Sequence, residues 1–150
     1  MPISEICNRE TIIVRRDSTA VEAARLMRQH HVGDVLVVEY GNDGARIPVG
    51  IVTDRDLVVE ILAPGLDPET ITAGDIMAPG LVTVKEGTGV FETIQYMRAK
   101  GVRRLPVVDE KNALVGIVTL DDLLELLSEE LLALAKLVRQ EQKKEIINRR

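Results

Sequence analysis

Apolar and polar positions along the chain fall into the same order twice. A short β-rich run at residues 11–14 precedes a stretch in which Val21, Ala24 and Met27 recur at intervals of three, as one face of a helix would. The buried-strand pattern VLVVE follows, then the turn-rich EYGNDGARI, then a second strand, VGIVT, after which helical spacing resumes. The second half repeats the order: residues 81–84, then Phe91, Ile94 and Met97 at threes, LPVVD, the shorter connection DEKNA, and VGIVT again. Each copy is therefore predicted to be β-α-β-β-α.

The copies align residue by residue. A shift of 70 places Ile6 on Ile76, Val14 on Val84, Glu22 on Glu92, Met27 on Met97 and Val37 on Val107. From Val49 onward the shift is 66, which puts four extra residues in the connection EYGNDGARI. Seven of the nine positions in 49–57 match 115–123, the closest stretch of the repeat. GDIM of the second copy aligns with SEIC of the first, so each copy owns a short lead-in. The expected organisation is a first repeat at 3–62, a connection at 63–74, a second repeat at 75–127 and a C-terminal helical tail at 128–150. One copy alone would bury little and leave a sheet face bare, so the two are expected to cover each other's sheets about a pseudo-twofold axis.

With 45% hydrophobic and 29% charged residues, the chain can close a core. The formal charge of −5 and an aromatic content of 2% (Tyr40, Phe91, Tyr96) argue against nucleic acid, which wants positive charge and stacking surfaces. Cys7 is the single cysteine, so there is no internal disulfide and no multi-cysteine zinc site. No apolar run approaches 18 residues and the start, MPISEICNRE, lacks a signal-like pattern, so the expectation is a cytoplasmic protein with no membrane association.

GVRRLPVVD at 101–109 and the twice-written GIVT-x-x-D resemble the tandem CBS-domain pair, also called the Bateman module, over residues 3–127. The resemblance implies an α/β (α+β) fold of two pseudo-symmetric CBS repeats packed sheet to sheet, here with a C-terminal helix added. It implies clefts between the repeats that bind adenosine-containing ligands such as AMP, ADP, ATP or S-adenosylmethionine. Pairing into a homodimer is also implied, and with no catalytic domain evident the chain resembles a stand-alone module.

Thr53 and Thr119 stand where a helix N-cap belongs, with Asp56 and Asp122 three residues on. That spacing suits a capping box. It equally allows the carboxylates to accept hydrogen bonds from ribose hydroxyls, the role the resemblance implies for both Thr–Asp pairs. Gly50 and Gly116 read as backbone relief at the strand entry. Arg103 and Arg104 precede the strand LPVV, where the resemblance places phosphate contacts, and guanidinium suits phosphate. The first copy has Gly33 and Asp34 there instead. On the family pattern Thr53 and Asp56 face Arg103 and Arg104 across a phosphate-competent cleft. Thr119 and Asp122 face Val32, Gly33 and Asp34 across another that should prefer adenosine without phosphates, or stay empty. Arg55 either adds a phosphate contact or pairs with Asp54 or solvent. Ile12, Ile13, Val32, Gly33, Val82, Val102 and Pro106 are candidate adenine-binding residues, of which Ile12, Ile13, Val82, Val102 and Pro106 read equally as simple core positions.

His30 and His31 end a helical segment with no third ligand at metal spacing, and Cys7, aligned with Met77, reads as a small apolar residue. No catalytic motif is found, and no catalytic residue, metal site or cofactor is expected. In the tail Leu124, Leu127, Leu131, Leu134 and Val138 alternate threes and fours, a coiled-coil-like seam expected to make dimer contacts or to pack within the chain. The function expected is a non-enzymatic sensor that binds an adenine nucleotide and signals to an unidentified partner protein. The alternative is an interaction scaffold or homodimerisation module with no physiological nucleotide.

Overall fold

The computed structural model describes residues 1–149; Arg150, the last residue of the expected tail, lies outside them. After a 3-10 turn (Ile3–Glu5), the first repeat runs β1 (Ile13–Val14), α1 (Ala20–His30), β2 (Asp34–Tyr40), β3 (Arg46–Thr53) and α2 (Asp54–Leu57). The short helix α2 passes straight into a π-helical stretch, Val58–Leu62. The second repeat has α3 (Ala73–Ile76) as its lead-in, then β4 (Val84–Lys85), α4 (Val90–Lys100), β5 (Arg104–Val108), β6 (Leu114–Thr119) and α5 (Leu120–Asn148). The predicted β-α-β-β-α order holds in both copies.

Two three-stranded sheets result, ordered β1-β2-β3 and β4-β5-β6. β1 pairs parallel with β2 and β4 parallel with β5, because the helix between them carries the chain back to the same end of the sheet. The antiparallel pair β2–β3 shifts register between Val37 and Val38, next to Pro48, which has no N–H to give to the ladder. Leu36 and Val38 of β2 form one buried cluster with Leu114 and Ile117 of β6, and Ile13 and Ile51 pack against it. The two sheets therefore cover each other, as expected. The chain divides into two units, Met1–Val118 and a second that begins at Thr119.

Two expectations are corrected. The four extra residues do not enlarge the turn: β2 and β3 have seven and eight residues where β5 and β6 have five and six. The buried face of α1 is Ala20, Ala23 and Met27, not Val21, Ala24 and Met27, and that of α4 is Val90, Thr93 and Met97, with Phe91 71% exposed. Steps of three alone drift off a face that turns every 3.6 residues, whereas a three followed by a four stays on it. The two buried triplets are equivalent at the shift of 70, which confirms the alignment. Residues 127 and 128 both lie within the continuous 29-residue α5.

The lead-ins are exchanged between the repeats. Ile3, fully buried, donates its N–H to Thr88 O at 2.7 Å, and Asn8 trades two backbone hydrogen bonds with Ile117 of β6. Reciprocally, Ala73 and Gly74 of α3 donate to Ser18 O and Arg16 O of the first repeat, and Ala73, Ile76 and Met77 close its core. Gly50 and Gly116 owe their identity to this exchange. A Cβ on Gly50 would lie within about 3.0 Å of Met77, and one on Gly116 would lie 2.6 Å from Asn8 O and 2.8 Å from Cys7 Sγ. Cys7 and Met77 are equivalent positions, so the same steric bargain is struck twice.

Candidate functional site

Strand β3 delivers Thr53 to the start of α2, and β6 delivers Thr119 to the start of α5. Both corners close a capping box, as the bland reading of the motif expected. Asp56 Oδ2 accepts the Thr53 N–H at 2.8 Å while Thr53 Oγ1 accepts the Asp56 N–H at 3.2 Å. At the second corner the corresponding distances between Thr119 and Asp122 are 3.0 and 3.2 Å. The same box recurs in the lead-in α3, between Thr72 and Asp75, at 3.0 and 3.2 Å. Those hydrogen bonds hold the Asp75 carboxyl below its ordinary range. Since Thr72–Asp75 belongs to no expected cleft, capping geometry alone does not mark a ligand site. What remains for a ligand at the half-buried Asp56 and Asp122 is the second carboxylate oxygen, which accepts no hydrogen bond among the described residues.

The pre-strand residues bring a correction. The family pattern places Asp34 and Arg104 at opposite clefts, yet Arg104 Nη1 donates to Asp34 Oδ2 in a direct ion pair. The two positions are equivalent at the shift of 70. Equivalent positions of a twofold repeat can touch only where its axis passes, so this pair marks the pseudo-twofold. Asp34 also sits opposite Thr53 in the β2–β3 register, and the Asp54 N–H donates to Gly33 O at 2.9 Å. A Cβ on Gly33 would lie 3.1 Å from Asp54 Oδ2, the end of an exposed side chain that would have to give way slightly. Arg104 is thus brought to the Thr53–Asp54 corner by way of Asp34. Burial pushes the Asp34 carboxyl above its ordinary range; Asp54 adds to that rise and Arg104 opposes it.

The other candidates are distributed unevenly. Arg103 and Arg55 are exposed, and Arg55 reaches Asp54 through its backbone N–H, at 2.8 Å, rather than through its guanidinium. Val32 is 37% exposed, and Gly33, Val82 and Val102 are half-buried. Ile12 and Ile13 are half-buried against the first-repeat core and the inter-sheet cluster respectively. Pro106 is less than 2% exposed. His31 takes a left-handed conformation at the C-cap of α1, φ 54°, where the second repeat has Gly101, φ 65°. His30 and His31 are exposed, and among the described residues no group of three or more His, Cys, Asp or Glu could hold a metal ion. No helix among them is long and apolar enough to cross a membrane.

Sequence reasoning missed two features. One is the Asp34–Arg104 pair, whose signal was the opposite charge at equivalent positions. The other is an apolar recess of about 510 Å³ between α1 and the α2–π segment, lined by Ala20, Val21, Ala24, Leu57, Ile61 and Leu66. None of the expected binding residues lines it.

The CBS domain family matches residues 3–63 and again 73–129. An uncharacterized protein of Methanopyrus kandleri is 40% identical over 82% of the chain, which spans 61% of that relative's length. Among solved structures, a CBS domain protein of Pyrobaculum aerophilum complexed with AMP superposes with a TM-score of 0.69 at 26% identity, covering 81% of this chain and 89% of that one. The CBS domain pair of protein MJ0100, in complex with 5-methylthioadenosine and S-adenosyl-L-methionine, gives 0.72 at 25% identity over 87% and 98%. With two matched domains, two facing sheets and an axis marked by equivalent residues, the chain belongs to the CBS-domain family as a tandem pair.

Proposed function

We propose that the chain is a non-enzymatic regulatory module that binds an adenine nucleotide in the cleft between its repeats and signals occupancy to a partner protein. The observation that carries the reading is Arg104 held at the Thr53–Asp54 corner through Asp34. A guanidinium there can exchange a carboxylate for a phosphate, while the unbonded oxygen of Asp56 accepts from ribose. Arg103, exposed beside it, adds charge, and Ile12, Ile13, Val82 and Val102 offer an apolar wall to the base. The AMP and S-adenosyl-L-methionine held by related CBS pairs support the ligand class. Signalling requires that the ligand favour one arrangement of the repeats over another. The Asp34–Arg104 bond joins the two repeats, so a phosphate that takes Arg104 loosens that joint.

Calorimetric titration with AMP, ADP, ATP and S-adenosylmethionine tests the reading. Wild type is expected to bind at least one of them, and Asp56→Ala to weaken binding by about tenfold or more, as the loss of a charged hydrogen-bond acceptor would. Undiminished binding by Asp56→Ala removes the ribose role. The closed boxes at all three Thr-x-x-Asp corners favour the second reading, a scaffold without a nucleotide. That reading gains if no adenosine ligand raises the melting temperature, since saturation at about 100 times Kd adds about 2.7 kcal/mol.

A further inference from the structure

Helix α5 carries more exposed apolar surface than anything else in the second unit requires. Every residue from 129 to 149 is exposed, and along the seam Leu124, Leu127, Leu131, Leu134 and Val138 are 54, 39, 69, 61 and 52% exposed. Alternating threes and fours keep these five on one stripe, the pattern that buries itself against a second helix. The charges along the same helix are segregated. Asp121, Asp122, Glu125, Glu129 and Glu130 fill its first part without a single base, whereas Lys136, Arg139, Lys143 and Lys144 outnumber Glu141 and Glu145 in its second.

From this we infer that α5 pairs with α5 of a second copy of the chain, antiparallel, about a twofold axis between Leu131 and Leu134. An isologous interface needs a surface that complements itself, and this helix does so in one direction only. Parallel pairing would set five acids beside five acids. Antiparallel pairing lays the acidic part of each helix along the basic part of the other. In that register Leu131 meets the partner's Leu134, Leu127 meets the partner's Val138, and Glu129 and Asp122 stand level with the partner's Lys136 and Lys143. The seam turns polar at Glu141, so the apolar contact has the length of the Leu127–Val138 stripe, with the opposite charges extending it. The inference does not depend on any nucleotide.

Sedimentation of the full chain tests the pairing. Wild type is expected to self-associate, more weakly as salt rises, because the matched charges are screened. Leu131→Glu with Leu134→Glu is expected to lose one association step while residues outside α5 stay folded, since both side chains are exposed in the single chain. Direction is read in a Cys7→Ser background under oxidation. Leu124→Cys together with Glu141→Cys should give a covalent dimer, whereas Leu124→Cys alone should not, its two copies lying far apart. A monomeric wild type, association undiminished by the double glutamate variant, or covalent dimer from Leu124→Cys alone would each overturn the inference.

Discussion

The two GIVT corners share one cap and lead to different ends. At Thr53–Asp56 the cap opens a helix that widens into a π turn and stops at Leu62, whereas at Thr119–Asp122 it opens a helix of 29 residues. Upstream, the equivalent positions 34 and 104 carry opposite charges and bond to each other. The difference teaches where each kind of information resides. What duplication kept identical, the caps and the strand-entry glycines, holds the architecture in both halves. What it let drift, Asp34 against Arg104 and a stop against a continuation, is where ligand charge and partner contact can be set without disturbing the fold.

The sharpest way to break the symmetry is at the glycines. Gly116→Ala is expected to cost about 3 kcal/mol and Gly50→Ala about 1 kcal/mol in urea unfolding. The first meets the Asn8 carbonyl, fixed by two hydrogen bonds to Ile117, and the second meets a methionine side chain that can turn aside. Equal costs would show that the two lead-ins are held alike. Removing the caps comes next: Thr53→Ala and Thr119→Ala should each cost about 1 kcal/mol in the same assay, because the two boxes have nearly the same geometry. A smaller difference separates the helix ends. His31→Gly should stabilise by about 0.5 to 1 kcal/mol by removing a left-handed side chain, and Gly101→Ala should destabilise by a similar amount, read as shifts of the urea midpoint.

The finest contrast is in pH dependence. The carboxyl of Asp34 is raised in the folded chain, so its contribution is most favourable below the ordinary value of 3.8 and is lost as pH rises through the raised value. That of Asp75 is lowered, so its contribution is present above 3.8 and is lost as pH falls through the lowered value. Plotted against pH, stability relative to wild type should therefore rise with pH for Asp34→Asn and fall with pH for Asp75→Asn. Parallel slopes would contradict the burial assigned to Asp34.

Strand order and helix starts were legible because each copy checked the other and because Thr-x-x-Asp is a local signal with a local cause. The helix faces were misread by one position. Counting began on Val21 and Phe91, the larger hydrophobes, while the close approach of each helix to its sheet selected Ala20, Ala23 and Thr93. The hydroxyl of Thr93 is hidden by a 2.8 Å bond to Gly89 O, so a polar letter stands in the core. The exchange of lead-ins left only a faint trace, sulfur residues at 7 and 77 matched to glycines at 116 and 50, since partners 27 and 109 residues apart share no periodicity. The Asp34–Arg104 bond was present in the alignment as a mere mismatch. Only an axis through those positions turns a mismatch into a contact. Whether Asp56 and Asp122 also serve a ribose is not written in the motif, because a cap and a ligand corner use the same letters.

The exchanged lead-ins also dictate an order of assembly. Residues 1–8 are synthesised well before their hydrogen-bonding partners at 86, 88 and 117. The first repeat in turn lacks the cover of Ala73, Ile76 and Met77 until synthesis has passed that point. Neither half can complete its own interior, so cutting the connection would yield two fragments that each expose what the other was meant to shield. Evolution could duplicate this unit, but the chain can no longer be divided back into it.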